Sequence, residues 1–261
     1  MADEFFWYEL MTPDQAASEH FYKEVVGWSA APQQATAANG APYVVLSVGE
    51  RGIGGLLQLT DEMQAGGARP AWVGYIHVSD VDGKTKSIVE AGGRVLMEAH
   101  EIPGVGRFAM VADPGGAPFY VMTPKPPPGV EPGPMPPAGT PGTFGWRELY
   151  SSIGEKAAFD FYAGQFGWET MHEMDMGAMG VYRIFGADGA QMGGMMDKPE
   201  NLPVSMWTFY VNIEGIDAAA ERVKTHGGQV THGPMEVPGG SWIVQGTDPQ
   251  GASFALVSTT R

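Results

Sequence analysis

The chain has 261 residues, of which 43% are hydrophobic, and this length is enough for two separate cores of ordinary size. Acidic residues outnumber basic ones by 30 to 15, and the formal charge of -15 disfavours nucleic acid as a partner, because Lys and Arg supply the contacts to phosphates. Cysteine is absent, which excludes disulfides, thiolate ligands and a cysteine nucleophile.

No apolar run in the sequence is long enough to cross a bilayer. The longest runs, such as "AWVGYIHV" and "MWTFYVNI", have the length of strands, whereas a spanning helix needs about 20 apolar residues. The opening "MADEFFWYEL" carries acids early and is followed by no small-residue cleavage site, unlike a signal peptide. We therefore expect a cytoplasmic protein with no membrane partner.

The first half predicts strands and helices in a repeated order. "FFWYELM" predicts a strand, "PDQAASEHFYKEVVG" an amphipathic helix that ends at Gly27, and "PYVVLSVG" and "GIGGLLQL" further strands. "AWVGYIHV" then predicts a strand, "DVDGKTKSIVEAGG" a second helix that ends in glycine, and "GRVLMEAHEI", "RFAMVADP" and "PFYVMTP" three more strands. The unit is one strand, one helix and three strands.

A Pro- and Gly-rich segment, "TPKPPPGVEPGPMPPAGTPGT", separates two halves that resemble each other, and we expect it to be an extended linker. "FYKEVVGW" recurs as "FYAGQFGW" 140 residues later, and "DPGGAPF" recurs as "DPQGASF" after 135 residues. Such offsets indicate an internal duplication. We predict domains at residues 1–123 and 143–261, a linker at 124–142, and about four copies of the unit.

These motifs resemble the vicinal oxygen chelate superfamily, which includes glyoxalases, extradiol dioxygenases and bleomycin-resistance proteins. The helix ending "FYKEVVGW", the segment "VSDVDGKTKSIVEAGG" and the hairpin "FAMVADPGGAPFYVM" carry the resemblance, which covers both halves without the linker. The openings "WYEL" and "WREL" are most similar to small two-domain glyoxalase-like proteins typified by a mycobacterial secreted antigen. The resemblance implies an α+β fold of four βαβββ modules, paired into two glyoxalase-like domains with cupped, barrel-like sheets.

The aromatic residues of the repeated motif are expected to pack the helices against the sheets. Their spacing suits a buried helix face that ends in glycine. The residues concerned are Phe21, Tyr22, Trp28, Phe161, Tyr162 and Trp168.

Metal-dependent members of that superfamily place His, Gln or Glu at set points of the cupped sheet. Counting from the repeated motifs puts these positions at Trp7, Val73 and Tyr120 in the first half and at Trp146, Thr208 and Ala255 in the second. None is a usual metal ligand, and a shift of one residue in the first half brings in no ligand either. We therefore expect no cofactor. The alternative is a divalent transition metal at a shifted site that uses Glu9 and His77.

Strand side chains alternate between two faces, which predicts what else lines each cup. Beside the positions above lie Glu9, Met11, Tyr75, His77 and Met122 in the first half, and Glu148, Tyr150, Tyr210 and Asn212 in the second. A Glu and a Tyr recur as a pair in both halves. The pair is either structural, with the carboxylate accepting hydrogen bonds, or catalytic, with Glu9 as general base and Tyr75 or His77 as acid.

The stretch "MHEMDMGAMGVYRIFGADGAQMGGMM" contains seven methionines and one histidine. Thioethers beside His172 could hold a soft ion such as Cu(I). Methionine is more commonly adaptable apolar filler, and we favour a compliant wall for a bulky ligand.

The leading hypothesis is a cytoplasmic glyoxalase-like protein that lacks the usual metal ligands and binds a hydrophobic or aromatic small molecule in one or both cups. The first alternative is an enzyme, a lyase or isomerase acting on a small reactive carbonyl or aromatic compound. It would be metal-free with Glu9 as base, or metal-dependent through the shifted site. The second alternative is a structural or interaction module. Four modules can complete two cups within one chain, so we expect a monomer or weak homodimer.

Overall fold

The structure is a computed structural model, and it describes residues 3–32, 40, 42–129 and 133–261. Residues 130–132 of the predicted linker and the first two residues of the chain lie outside these ranges. Within the ranges, no helix has both the length and the apolar character that crossing a membrane requires.

The predicted repeat of one strand, one helix and three strands is confirmed four times. The first half forms β1 (Phe5–Thr12), α1 (Gln15–Val26), β2 (Ser29–Pro32), β3 (Tyr43–Val48), β4 (Arg51–Gln58), α2 (Asp61–Ala65), β5 (Ala71–His77), α3 (Val81–Glu90), β6 (Arg94–Ile102), β7 (Gly106–Ala112) and β8 (Pro118–Pro124). The second half forms β9 (Phe144–Ser151), α4 (Glu155–Phe166), β10 (Glu169–Asp175), a 3-10 turn (Gly177–Met179), β11 (Val181–Ala187), β12 (Ala190–Asp197), β13 (Met206–Asn212), α5 (Ile216–Thr225), β14 (Gln229–Glu236), β15 (Trp242–Thr247) and β16 (Ser253–Ser258). Strand β2 and the short helix α2 were not among the individual segments predicted.

Local capping explains where the repeated helices begin and end. Oδ1 of Asp14 accepts a hydrogen bond of 3.0 Å from the backbone N–H of Ala17, which satisfies one of the free donors at the start of α1. Gly27 ends α1 with φ of 89°, and Gly167 ends α4 with φ of 71°. Glycine adopts this left-handed conformation without the steric cost of a Cβ, so the predicted glycine stops are confirmed.

Each half contributes one sheet of eight strands. The order is β2-β3-β4-β1-β5-β8-β7-β6 in the first sheet and β10-β11-β12-β9-β13-β16-β15-β14 in the second. The first and last strands of each module pair in parallel, and the remaining pairs within a module are antiparallel. The two orders are identical after renumbering, which confirms the predicted α+β class and the pairing of modules.

Compactness groups the chain differently from the sheets. The Tyr162 unit consists of Met1–Trp7, Val73–Val130 and Trp146–Thr208, and the Tyr22 unit of Tyr8–Trp72, Glu131–Gly145 and Phe209–Arg261. Each unit therefore takes one module from the first half and one from the second. The domain bounds predicted from the sequence follow the sheets, and they stay a prediction about which segment folds alone.

The core of the Tyr22 unit centres on the tyrosine of the first repeated motif. Trp72 Nε1 donates a hydrogen bond of 2.8 Å to the Tyr22 hydroxyl, which donates one of 3.1 Å to Oδ2 of Asp248. Oδ1 of Asp248 accepts a bond of 2.8 Å from the backbone N–H of Ala252. Trp28 stacks on Tyr22 with ring centroids 5.5 Å apart. Helix α1 of the first half is thus bonded to the Asp-Pro turn of the second.

The Tyr162 unit repeats this chain of hydrogen bonds with the halves exchanged. Trp207 Nε1 donates to the Tyr162 hydroxyl at 2.8 Å, and the hydroxyl donates to Oδ2 of Asp113 at 3.2 Å. Trp168 stacks on Tyr162, with centroids 5.3 Å apart. All six aromatic residues of the repeated motif are buried, so their predicted packing role is confirmed.

Burial governs the ionisation of these cores. It raises the pKa of the Asp113 and Asp248 carboxyls, although hydrogen bonds from backbone N–H groups and from the tyrosines oppose the shift. Burial and the neighbouring carboxylates raise the pKa of Tyr22 and Tyr162 well above the usual value. Both tyrosines therefore remain hydroxyl donors.

Candidate functional site

One face of the second-half sheet carries α4, and the opposite face holds the residues predicted from strand alternation. Arg183 of β11 lies on the α4 face, where Nε donates to Oε2 of Glu155 at 2.7 Å and the guanidinium lies over the ring of Phe159. Because side chains alternate along a strand, Tyr182 points to the opposite face.

The strand register brings a glycine between Tyr182 and the predicted Glu148. Gly194 of β12 lies opposite Ile184 of β11 on one side and opposite Glu148 of β9 on the other. A Cβ at position 194 would overlap the ring and hydroxyl of Tyr182. The missing side chain therefore lets the tyrosine ring lie across β12 and reach the carboxylate on β9.

Four side chains on this face form a chain of hydrogen bonds, which we call the Glu148 cluster: Trp146, Glu148, Tyr150 and Tyr182. Trp146 Nε1 donates to the Tyr182 hydroxyl at 2.8 Å, and that hydroxyl donates to Oε1 of Glu148 at 2.9 Å. The Tyr150 hydroxyl donates to Oε2 of Glu148 at 2.5 Å. Bonds from hydroxyl donors to both oxygens favour the charged carboxylate.

The Glu148 cluster has a buried centre and an accessible rim. Glu148 is 8% exposed, whereas the three aromatic residues are partly exposed. Burial, followed by the charge of Glu148, raises the pKa of Tyr182, so this hydroxyl keeps its proton. A molecule at the rim would meet indole and phenol rings first and the carboxylate beneath them.

The remaining second-half positions lie in different surroundings. Gln245 Nε2 donates to the Tyr210 hydroxyl at 2.6 Å, and Ala255 lies opposite both residues in the register. Tyr210 belongs to the Tyr22 unit, so its predicted pairing with Glu148 stays a prediction. Asn212 Nδ2 donates to Oγ1 of Thr143 at 2.9 Å. This amide thus holds the residue before β9. Thr208 is buried.

The first half repeats the arrangement around Glu9 with one difference. Glu9 lies opposite Gly55 in the register, and a Cβ on this glycine would overlap the Tyr43 ring. Glu9 is 4% exposed. Met11 occupies the position that Tyr150 holds in the second half. The first-half face therefore lacks one of the phenol rings.

Other predicted residues of the first half meet on β5, β7 and β8. Tyr75 and Tyr120 are stacked, with centroids 4.1 Å apart, and Phe108 lies 6.2 Å from Tyr75. His77 lies opposite Met122 in the register. The face is more apolar here than around Glu148. Trp7, which is partly exposed, and Val73, which is buried, belong to the same unit as Tyr75.

The donor set of the metal-dependent relatives does not fit the positions identified for it. The residues there are Trp7, Val73 and Tyr120 in the first half and Trp146, Thr208 and Ala255 in the second, and none carries an imidazole or a carboxylate. In the described ranges, no three His, Asp or Glu side chains lie close enough together to hold a metal ion. No chemical step is therefore derived through a metal.

The sequence reasoning missed Tyr182 and Gly194. A signal was present, because Tyr43 and Tyr182 are 139 residues apart and so are Gly55 and Gly194. The glycines were interpreted only as parts of glycine-rich hairpins. A tyrosine repeated at the offset of a glycine pair indicates a ring that needs the space over a neighbouring strand.

Comparison with known proteins identifies the family. The profile of the Glyoxalase/Bleomycin resistance protein/Dioxygenase superfamily matches residues 4–121 and 156–256. The chain belongs to this superfamily. The predicted resemblance is thereby confirmed.

Two curated relatives align with nearly the whole chain. CFP32 of Mycobacterium tuberculosis (strain CDC 1551 / Oshkosh), a glyoxylase by name, is 29% identical over 251 residues, which cover 96% of this chain and 93% of that protein. The anthracycline biosynthesis protein DnrV of Streptomyces peucetius is 29% identical over 263 residues, with 96% and 91% covered.

Solved structures share the fold at lower identity. The Mn(II)-bound glyoxalase from Novosphingobium aromaticivorans superposes with a TM-score of 0.66 at 18% identity, covering 100% of this chain and 83% of that one. The 2,3-dioxygenase LapB from Pseudomonas sp. KL28 gives a TM-score of 0.63 at 13% identity, covering 99% and 93%.

Proposed function

We propose that the protein is a cytoplasmic, metal-free member of the superfamily that binds a hydrophobic or aromatic small molecule on the curved sheet of one or both halves. The Glu148 cluster carries this proposal, because three partly exposed aromatic side chains converge there on one carboxylate. Apolar walls with a few convergent polar groups are typical of small-molecule sites. The protein acts as a monomer or weak homodimer, without nucleic acid or membrane.

The names of the relatives support a small-molecule ligand. CFP32 is named a glyoxylase, and DnrV is named for anthracycline biosynthesis. Both names concern the chemistry of small molecules. At 29% identity they indicate a class of ligand and no particular compound.

Ligand binding can be tested with a panel of aromatic and hydrophobic compounds, followed by tryptophan fluorescence. We expect Trp146→Ala to weaken binding at least about tenfold, because truncating a central aromatic contact typically costs more than 1 kcal/mol. Trp242→Phe, on β15 beneath the Arg261 guanidinium, is the matched control and is expected to keep the affinity. Unchanged affinity in both Trp7→Ala and Trp146→Ala would contradict the proposal.

Elemental analysis tests the metal-free part of the proposal. The untagged protein is dialysed against a mixture of divalent ions and then analysed by mass spectrometry. We expect no transition metal in stoichiometric amount. A stoichiometric metal would overturn this part and would direct attention to Glu9 and His77.

The burial of Glu9 favours a second candidate function, proton transfer on a bound ligand. A buried carboxylate is suited to act as a general base, and Tyr75 or His77 would supply the acid in a lyase or isomerase reaction on a small carbonyl or aromatic compound. Glu9→Gln keeps the shape of the side chain and is expected to abolish turnover of a reactive carbonyl panel while near-UV circular dichroism is unchanged. Full turnover in this variant would exclude the candidate.

A further inference from the structure

We infer that the Glu148 cluster binds the alkylated ammonium group of an organic cation. This inference rests on the proposed function, since it assigns a ligand class to the same sheet face. It is specific to the second half.

The carboxylate of Glu148 provides the negative charge. Its two oxygens are held by the Tyr182 hydroxyl at 2.9 Å and the Tyr150 hydroxyl at 2.5 Å. A carboxylate has about four acceptor positions, so these two bonds use only part of its capacity. Neutral hydroxyl groups orient the charge and leave its sign unchanged, and a cationic ligand is the complementary partner.

The rings of the Glu148 cluster provide a second attraction for a cation. Trp and Tyr rings have a negative face, and a cation within about 6 Å of a ring centroid is stabilised by it. The polar ends of Trp146, Tyr150 and Tyr182 converge on one carboxylate, so their rings lie around the same place. All three are partly exposed and can be reached from solvent.

Two methionines favour an alkylated cation over a small hydrated ion. Met174 lies opposite Tyr182 in the register and Met196 lies opposite Tyr150, and residues opposite each other point to the same face. Thioether side chains are flexible and polarizable, so they adapt to the shape of apolar groups. They suit N-alkyl groups and give no advantage to a cation that keeps its water shell.

The charge of the whole chain and the direction of Arg183 agree with this ligand. A net charge of -15 raises the concentration of cations near the protein. The Arg183 guanidinium belongs to the other face, where it is paired with Glu155 at 2.7 Å and Glu173 at 2.5 Å.

The duplication supplies an internal control. Glu9 lies over Gly55 as Glu148 lies over Gly194, but Met11 replaces Tyr150. The first-half face has one phenol ring and one hydroxyl fewer. We therefore expect the preference for cations to depend on Glu148 and to be independent of Glu9.

The test compares choline with 3,3-dimethylbutan-1-ol, which has the same shape without the charge. Binding to the full-length protein is followed by tryptophan fluorescence and isothermal titration calorimetry. We expect the wild type to bind choline about tenfold more tightly, because a desolvated cation over aromatic rings gains up to about 2 kcal/mol. Glu148→Gln should reduce the preference to about twofold, whereas Glu9→Gln should keep it.

Two further measurements separate the outcomes. Tyr150→Met gives the second half the residue of the first, and it should also lower the preference if Glu148→Gln does not fold. Equal binding of the two probes, or a preference lost only in Glu9→Gln, overturns the cation inference and leaves the proposed function standing. Failure of both probes overturns the inference, and failure of the aromatic panel as well overturns the proposed function.

Discussion

At the scale of single residues, Gly194 determines how the Glu148 cluster is assembled. The Tyr182 ring occupies the space of the missing Cβ, and only from there does its hydroxyl meet Trp146 Nε1 and Glu148 Oε1. The tip of a tyrosine is normally free to move aside for an added methyl group. Here such a movement would break two hydrogen bonds at once.

Gly194→Ala is therefore expected to lower the free energy of unfolding by about 1–3 kcal/mol, through crowding and lost hydrogen bonds. Gly164→Ala on the exposed surface of α4 is the matched control, because nothing lies within 4 Å of its added Cβ. It should raise the free energy of unfolding by about 0.5–1 kcal/mol, since alanine favours helices. Urea unfolding of the two variants measures both effects. Equal effects in the two variants would show that the Tyr182 contact is not constrained.

The residues of the site were only partly predictable for a physical reason. Glu148 and Tyr150 follow from alternation along one strand, which the sequence shows directly. Tyr182 reaches Glu148 from another strand, so its contact depends on the lateral register of β11, β12 and β9. That register contains an irregularity between Phe185 and Gly186, and no local period reveals it.

At the scale of elements, the repeated helices and the Asp-Pro turns form two equivalent buried hydrogen-bond chains. The sequence predicted α1 and α4 from their spacing and glycine stops. Their bonds to Asp248 and Asp113 join residues 226 and 49 positions apart, which no helical period encodes. Strand β2 escaped individual prediction because "SAAP" lacks the branched and aromatic residues that favour strands.

These aspartates predict a specific pH dependence. Their pKa is raised in the folded state, so the folded protein binds these protons more tightly than the unfolded chain does. Their contribution to the free energy of unfolding should therefore increase as pH falls through the raised pKa towards the unfolded value of about 3.9, and decrease as pH rises.

The paired substitution Asp113→Asn and Asp248→Asn removes both titrating groups while keeping side chains of the same size. Urea unfolding between about pH 4 and 7 should show that the wild type gains stability relative to this variant as pH falls. The difference between the two proteins isolates the aspartates from the other carboxylates. Two parallel pH curves would contradict the assignment.

At the scale of the whole molecule, two sheets and two compact units divide the chain in different ways. The sheets follow the sequence halves, and this part of the architecture was predicted from the repeats. The units combine one module from each half. The exchange could not be derived from the sequence, because matching repeats identify equivalent modules but not which modules pack together.

We expect segments 1–123 and 143–261, produced separately, to lack cooperative unfolding. Each would lose the partner of a buried tyrosine and expose aromatic core residues. Mixing the segments should restore the near-UV circular dichroism of the whole chain. As the control, a protease site inserted after Pro136 and cut after folding should leave the signal unchanged. A segment that unfolds alone at the wild-type midpoint would show that the predicted domains are independent folding units.

The reciprocal bonds between α1 and the second Asp-Pro turn, and between α4 and the first, also affect how such a gene can evolve. After the duplication, a substitution that reshaped one helix had to remain compatible with a turn encoded in the other copy. Recombination that replaced a single copy would bring together surfaces with separate histories. The two halves are therefore under selection as one hereditary unit, even while residues such as Met11 and Tyr150 diverge on their sheet faces.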